Sequence, residues 1–123
     1  MTKILVIDDE TLIRTIMRDM LEGAGYEVVA APSGEEGLQL AKAERPDCIL
    51  LDIMMPGMDG YETCSALKAD PDLARIPVLL ASASSDVRII DQAERVGAFN
   101  VLQKPFRFEQ LQHVVALALN PPA

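Results

Sequence analysis

Certain polar residues of this 123-residue chain stand directly after apolar runs. Asp8, Asp9 and Glu10 follow KILVI, and Asp52 closes DCILL. Ser82 closes PVLLA, with Ser84 and Ser85 close behind, and Lys104 follows FNVLQ. Two or three carboxylates brought into one pocket repel each other unless a cation or a proton offsets them. A divalent cation with hard oxygen ligands does this, and Mg²⁺ suits the set. It takes one or two carboxylates, keeps several waters, and accepts the rest of its oxygens from phosphates. A lysine and a hydroxyl beside it can hold two more phosphoryl oxygens. One carboxylate then remains free to attack a phosphoryl group, with metal and amine neutralising the charge that develops.

Taken singly, each residue also has an ordinary role. Asp8 or Asp9 can cap the helix that follows. Asp52 can form a turn ahead of Pro56 and Gly57. Ser82 can be a small hydroxyl at a strand end, and Lys104 a solvated surface charge. Their joint position at four strand ends favours the chemical reading. His113 is a lone histidine within a helical stretch, expected to be structural or exposed. Met54, Met55 and Met58 read as loop packing.

The elements that must position these residues alternate along the chain. Strands are predicted over residues 3–7, 26–31, 47–52, 77–82 and, more weakly, 99–103. Between them lie amphipathic stretches. In the first, Leu12, Ile13, Ile16, Met17, Met20 and Leu21 are expected to form one buried stripe, stopped by Gly23 and Gly25. The second opens on a capping box, Ser33-Gly34-Glu35-Glu36, and ends before Pro46. A loop over 53–59 leads to a third helix over 60–69, broken by Asp70-Pro71-Asp72. Ser85 or Asp86 caps the fourth, with Val87, Ile90, Ala93, Glu94 and Val96 in register, and Gly97 ends it. In the fifth, Phe108, Leu111, Val114, Val115, Ala118 and Leu119 turn inward. Such βα units imply an α/β fold, a parallel sheet with helices on both faces and right-handed crossovers. In open sheets of this kind the ligand site lies beyond the carboxyl ends of the strands.

Composition narrows the function. The formal net charge is −8, from 19 acids against 11 Lys plus Arg. No nucleic acid is expected on this domain, since phosphate neutralisation needs clustered cations, and no membrane surface. Aromatics make up 4 % with no Trp, so the core must be aliphatic. Cys48 and Cys64 read as small buried hydrophobes. Without a signal peptide or a membrane-length apolar run, the expected location is cytoplasmic.

At these residues the sequence resembles the receiver domains of two-component response regulators, typified by the bacterial chemotaxis regulator. The motifs are ILVIDDE, ILLDIMMPGMDG, IPVLLASA and GAFNVLQKPF, and the likeness runs from Lys3 to about Leu119. It implies a flavodoxin-like doubly wound sheet of five strands in the order 2-1-3-4-5 with five helices. The implied domain covers residues 1–119, with 120–123 a tail or the start of a linker. Asp52 is then the phosphoryl acceptor and Asp9 a direct Mg²⁺ ligand. Asp8 is a ligand mainly through water, and the Met54 main-chain carbonyl completes the protein's share. Ser82 and Lys104 hold the phosphoryl group, the Lys104–Pro105 bond is cis, and Gly60 opens the third helix. The implied donor is a histidine kinase or a histidine phosphotransfer protein. The implied output is a protein target on the face of the fourth helix, fifth strand and fifth helix, with a phosphorylation-dependent dimer possible. Such a domain is a signalling module that catalyses only its own phosphorylation and dephosphorylation.

Two positions depart from the usual pattern. The middle of the fifth strand carries Val101 where the family usually has Tyr or Phe, with Phe99 two residues earlier and expected on the same face. Met54, two after Asp52, is expected to shield an acyl phosphate from water. Met54 also speaks against a haloacid-dehalogenase-type phosphatase, which needs an acid there to carry the proton. A flavin or nucleotide module would need a Gly- or Ser-rich loop after the first strand, where Asp8-Asp9-Glu10 would repel phosphate. A purely structural adaptor would not need the full acid and lysine set. Met1 reads as a natural start. The end at Ala123 leaves open a single-domain regulator, acting by protein contact, or the front of a longer one.

Overall fold

The computed structural model describes residues 1–120; the end of the expected tail, residues 121–123, lies outside the described residues. The chain alternates strictly: β1 (Lys3–Ile7), α1 (Thr11–Gly23), β2 (Glu27–Ala31), α2 (Gly34–Glu44), β3 (Cys48–Asp52), α3 (Gly60–Ala69), β4 (Val78–Ser82), α4 (Val87–Arg95), β5 (Asn100–Gln103) and α5 (Phe108–Leu119). The strands form one parallel sheet in the order β2-β1-β3-β4-β5, as the resemblance implied.

Alternation along each strand sends successive side chains to opposite faces. Leu5, Ile7, Ile49, Leu51, Val78 and Leu80 pack with Ala41, Cys64, Leu67, Ala93 and Val96 from α2, α3 and the α4 region. Ile4, Val6, Cys48, Leu50, Leu79 and Leu102 pack with Met17 and Leu21 of α1 and Leu111, Val115 and Ala118 of α5. Helices cover both faces, which is why β3 and β4 are buried along their whole length. Both cysteines are buried and free. No helix among the described residues is long and apolar enough to cross a membrane.

Two expected stripes are corrected. In α1, Met17 and Leu21 are buried, but Leu12 is 69 % exposed and Ile16 40 %. The helix has two neighbouring apolar rows and the sheet covers only one. In α4, Val87 and Ile90 face solvent at 77 % and 59 % exposure, while Ile89, Ala93 and Val96 pack inward. Ala93 and Val96 are buried as expected, but Val87, Ile90 and Glu94 are not, and Ile89 packs inward in their place, because Ala93 belongs to both possible rows.

The helix starts follow their caps. Ser33 Oγ accepts from Glu36 N at 3.2 Å, but the return bond of the expected box is not made. A complete box forms instead at α3, where Asp59 Oδ1 accepts from Glu62 N at 2.9 Å and Glu62 Oε1 accepts from Asp59 N at 3.1 Å. Its D-x-x-E signature was readable in the sequence. Asp86, one of the two expected caps, opens α4.

Candidate functional site

Register brings the acids together. Ile7 pairs with Leu51, so the next residues, Asp8 and Asp52, leave their neighbouring strands side by side. Asp52 pairs with Ala81 on β4, and Ser82 pairs with Gln103 on β5. Lys104 is the next residue, and its main-chain N donates to the Ser82 carbonyl at 2.7 Å. Chain topology thus gathers groups up to 96 residues apart at the carboxyl rim of the sheet.

The lysine side chain lies between the two acids. Lys104 Nζ is 3.1 Å from Asp8 Oδ2 and 3.2 Å from Asp52 Oδ1. Asp8 and Asp52 are buried, and Asp9 is exposed beside them. One carboxylate oxygen from each of Asp8, Asp9 and Asp52 lies within 4.8 Å of the others. Three acids against one amine leave the cluster short of positive charge. All its available donors are carboxylate oxygens, the chemistry a hard divalent cation takes. The triad is therefore able to hold a metal ion.

The electrostatics show the same shortage. Burial pushes the Asp52 carboxyl above its ordinary range, and the neighbouring Asp8 charge adds to this; Lys104 offsets only part. Burial also acts to lower Lys104, but the Asp52 and Asp8 carboxylates overcome it and hold the ammonium above its usual value.

Several supports were not anticipated from sequence. Asp8 Oδ1 accepts from Glu10 N at 2.9 Å, so both of its oxygens are oriented. Arg14 Nη1 donates to the Asp8 main-chain carbonyl at 2.7 Å and its Nη2 to Thr11 Oγ1 at 3.1 Å. The only signal for Arg14 was its place one turn into the helix after the acids. Gly60 is required by packing: a Cβ there would lie 2.5 Å from the Asp52 main-chain oxygen and 2.6 Å from Ile53 Cα. The loop after the site begins with Ile53, buried, and Met54, 75 % exposed. Met54 lines a groove with Tyr61, Ser82 and Ile89. Of the expected methionine packing, Met55 is buried while Met54 is not. His113 is exposed. The Lys104–Pro105 peptide is cis. Val101 packs partly buried against the core beneath α4, and Phe99 stands just before β5, 40 % exposed.

Comparison with known proteins agrees with this geometry. Residues 4–116 match the response regulator receiver domain family. The probable transcriptional regulator ycf27 of Porphyridium aerugineum is 41 % identical over 110 residues, 89 % of this chain and 45 % of that protein. The chain thus spans less than half the length of this curated relative. The chemotaxis protein CheY4 of Vibrio cholerae superposes with a TM-score of 0.93 at 34 % identity, covering 97 % of this chain and 99 % of that one. The receiver domain of sensor histidine kinase PA1611 from Pseudomonas aeruginosa gives a TM-score of 0.88 at 26 % identity, covering 96 % and 97 %; it was crystallised with a magnesium ion in its active-site cleft. With its acids, lysine and hydroxyl on one rim of a 2-1-3-4-5 sheet, this chain belongs to the response regulator receiver domain family, a phosphoacceptor signalling module rather than a true enzyme.

Proposed function

We infer that Asp52 is the phosphoryl acceptor of this domain. The observation that carries the reading is the Lys104 ammonium held between Asp8 and Asp52. Receiver domains are phosphorylated by histidine kinases. In this chain a phosphohistidine of a kinase or phosphotransfer protein is the donor. An Asp52 carboxylate oxygen attacks phosphorus, the P–N bond breaks, and histidine leaves as an acyl phosphate forms. Asp9, Asp52 and the Met54 carbonyl would hold Mg²⁺, with Asp8 reaching it mainly through water; the ion would neutralise charge on the transferring group. Lys104 and the Ser82 hydroxyl hold phosphoryl oxygens. The added charge, from −1 to about −1.5 to −2, biases an existing equilibrium between two arrangements.

Residues 1–119 form the receiver domain and 120–123 a tail or the start of a linker. The output surface is α4, β5 and α5, where Val87, Ile90 and Phe99 are exposed, with a protein target or a phosphorylation-dependent dimer on it. The setting is cytoplasmic. Asp52→Asn tests the assignment: the variant should take up no label from a phosphorylated kinase, and label stably bound to it would end the reading. Met54 gives a second check. Met54 lines the groove that also contains Ser82. If its apolar side chain shields an acyl phosphate there, Met54→Asn should shorten the acyl-phosphate lifetime several-fold, read by loss of label over time, and an equal lifetime would remove that role.

A further inference from the structure

The Ser82 hydroxyl has one proton, and it is already committed. Ser82 Oγ donates to the Ser84 main-chain carbonyl at 3.3 Å and accepts from Ser84 N at 3.1 Å. Ser84 is in turn tied to the start of α4, because its Oγ accepts from Asp86 N at 3.2 Å. Asp86 caps the helix by accepting from Arg88 N at 2.9 Å. The Arg88 guanidinium grips the same carboxylate through Nε at 3.2 Å to each oxygen and Nη2 at 2.7 Å to Oδ2. That pairing holds the Asp86 carboxyl down at about 2, so the cap stays ionised. A continuous hydrogen-bonded path therefore runs from the buried Ser82 to the first turn of α4, where Val87 and Ile90 stand exposed.

We propose that Ser84 and Asp86 are positioning residues that hold the Ser82 hydroxyl in its resting direction and so set how readily it is recruited to a phosphoryl group on Asp52. The proposal rests on the acceptor reading above. A phosphoryl oxygen and the Ser84 carbonyl compete for the single Ser82 proton. The tighter Ser84 is fastened to Asp86, the less the turn can yield that proton. Weakening the fastening shifts the equilibrium toward the recruited arrangement without touching the acceptor or its acids. The fastening bonds lie near the surface, so each changes affinity modestly, on the order of threefold to tenfold.

The test is calorimetric titration of the protein with beryllofluoride, a phosphoryl mimic, in Mg²⁺. Ser84→Ala, which removes the oxygen that accepts from Asp86 N, should tighten beryllofluoride binding about threefold to tenfold. Asp86→Ala, which keeps that main-chain N–H and loses the helix cap, should act in the same direction and less. Arg88→Ala, which removes only the brace, should act in the same direction and less. The deciding measurement is a double-mutant cycle. In a Ser82→Ala background, Ser84→Ala should no longer change the affinity, because the hydroxyl it restrains is gone. A purely structural role would lower thermal stability equally in both backgrounds and leave beryllofluoride affinity unmoved. Unchanged or weaker binding in Ser84→Ala and Asp86→Ala, or the same change with and without Ser82, overturns the proposal. Failure of the wild-type protein to bind beryllofluoride would overturn the acceptor reading instead.

Discussion

At each end of the sheet a lysine stands between two carboxylates. At the amino end, Lys3 Nζ is 2.8 Å from Glu44 and 3.4 Å from Glu27. At the carboxyl end, Lys104 Nζ is 3.1 Å from Asp8 and 3.2 Å from Asp52. The distances are alike and the physics is not. The carboxylates around Lys3 are 46 % and 35 % exposed, so water solvates them and the pairs clip the edge of β1 to its surroundings. Those around Lys104 are 5 % and 8 % exposed. Water is largely excluded there, a third acid stands beside them, and removing charge balance carries a real cost. The same arrangement is a surface ion pair in one place and part of a buried acidic pocket able to hold a metal ion in the other. Burial makes the difference.

The sharpest way to break this comparison is to remove each amine in turn. Lys104→Met should destabilise the metal-free protein by about 2–3 kcal/mol, since it strands two buried carboxylates. Added Mg²⁺ should recover much of that, because a ligand that binds only the folded state stabilises it by mass action. Lys3→Met should lose far less and show no extra dependence on Mg²⁺. Thermal unfolding with and without the ion distinguishes the two, and equal losses would show that burial does not separate the sites.

Acidification gives the next effect. The folded-state pKa of Asp52 is raised, so a proton competes for that carboxylate at higher pH than for an exposed aspartate. Mg²⁺ affinity should therefore be full at neutral pH and begin to fall above the ordinary aspartate range. Asp52→Asn should move the onset of that fall to lower pH. Titration at a series of pH values reads both.

The smallest effect is that of salt. Between 0.1 and 1 M the screening length falls from about 10 Å to about 3 Å. The stability gap between wild type and Lys3→Met should close across that range, while the gap for Lys104→Met should persist. Denaturant unfolding at the two salt levels measures it.

Much of the fold was legible because two periods and a few punctuating residues define it. Short β-branched runs ended by Asp52 or Ser82, and amphipathic stretches closed by Gly23, Gly97 or Asp70-Pro71, placed all five strands and five helices within a few residues of where they lie. The polar strand ends were legible as candidate site residues for the same reason, since a carboxylate closing an apolar strand is a local pattern. The strand order came from the family likeness, because alternation alone allows several orders. Which apolar row of a helix faces the sheet was also beyond local reading. Leu12 and Ile16 follow as good a helical spacing as Met17 and Leu21, and the choice between them is made by where the crossover sets the helix down.

Residue types and spacing by themselves determined that the chain is an α/β alternation with acids, a hydroxyl and an amine at its strand ends. Only the tertiary structure decided that Asp8 is buried while Asp9 is exposed, that Lys104 reaches both Asp8 and Asp52, and that Arg14 and Ser84 are tied into the same rim. The reason is physical. Local pattern reports which way a side chain alternates along its own segment. Distance, desolvation and competition for one proton arise between segments, and they exist only once parallel register has brought those segments side by side.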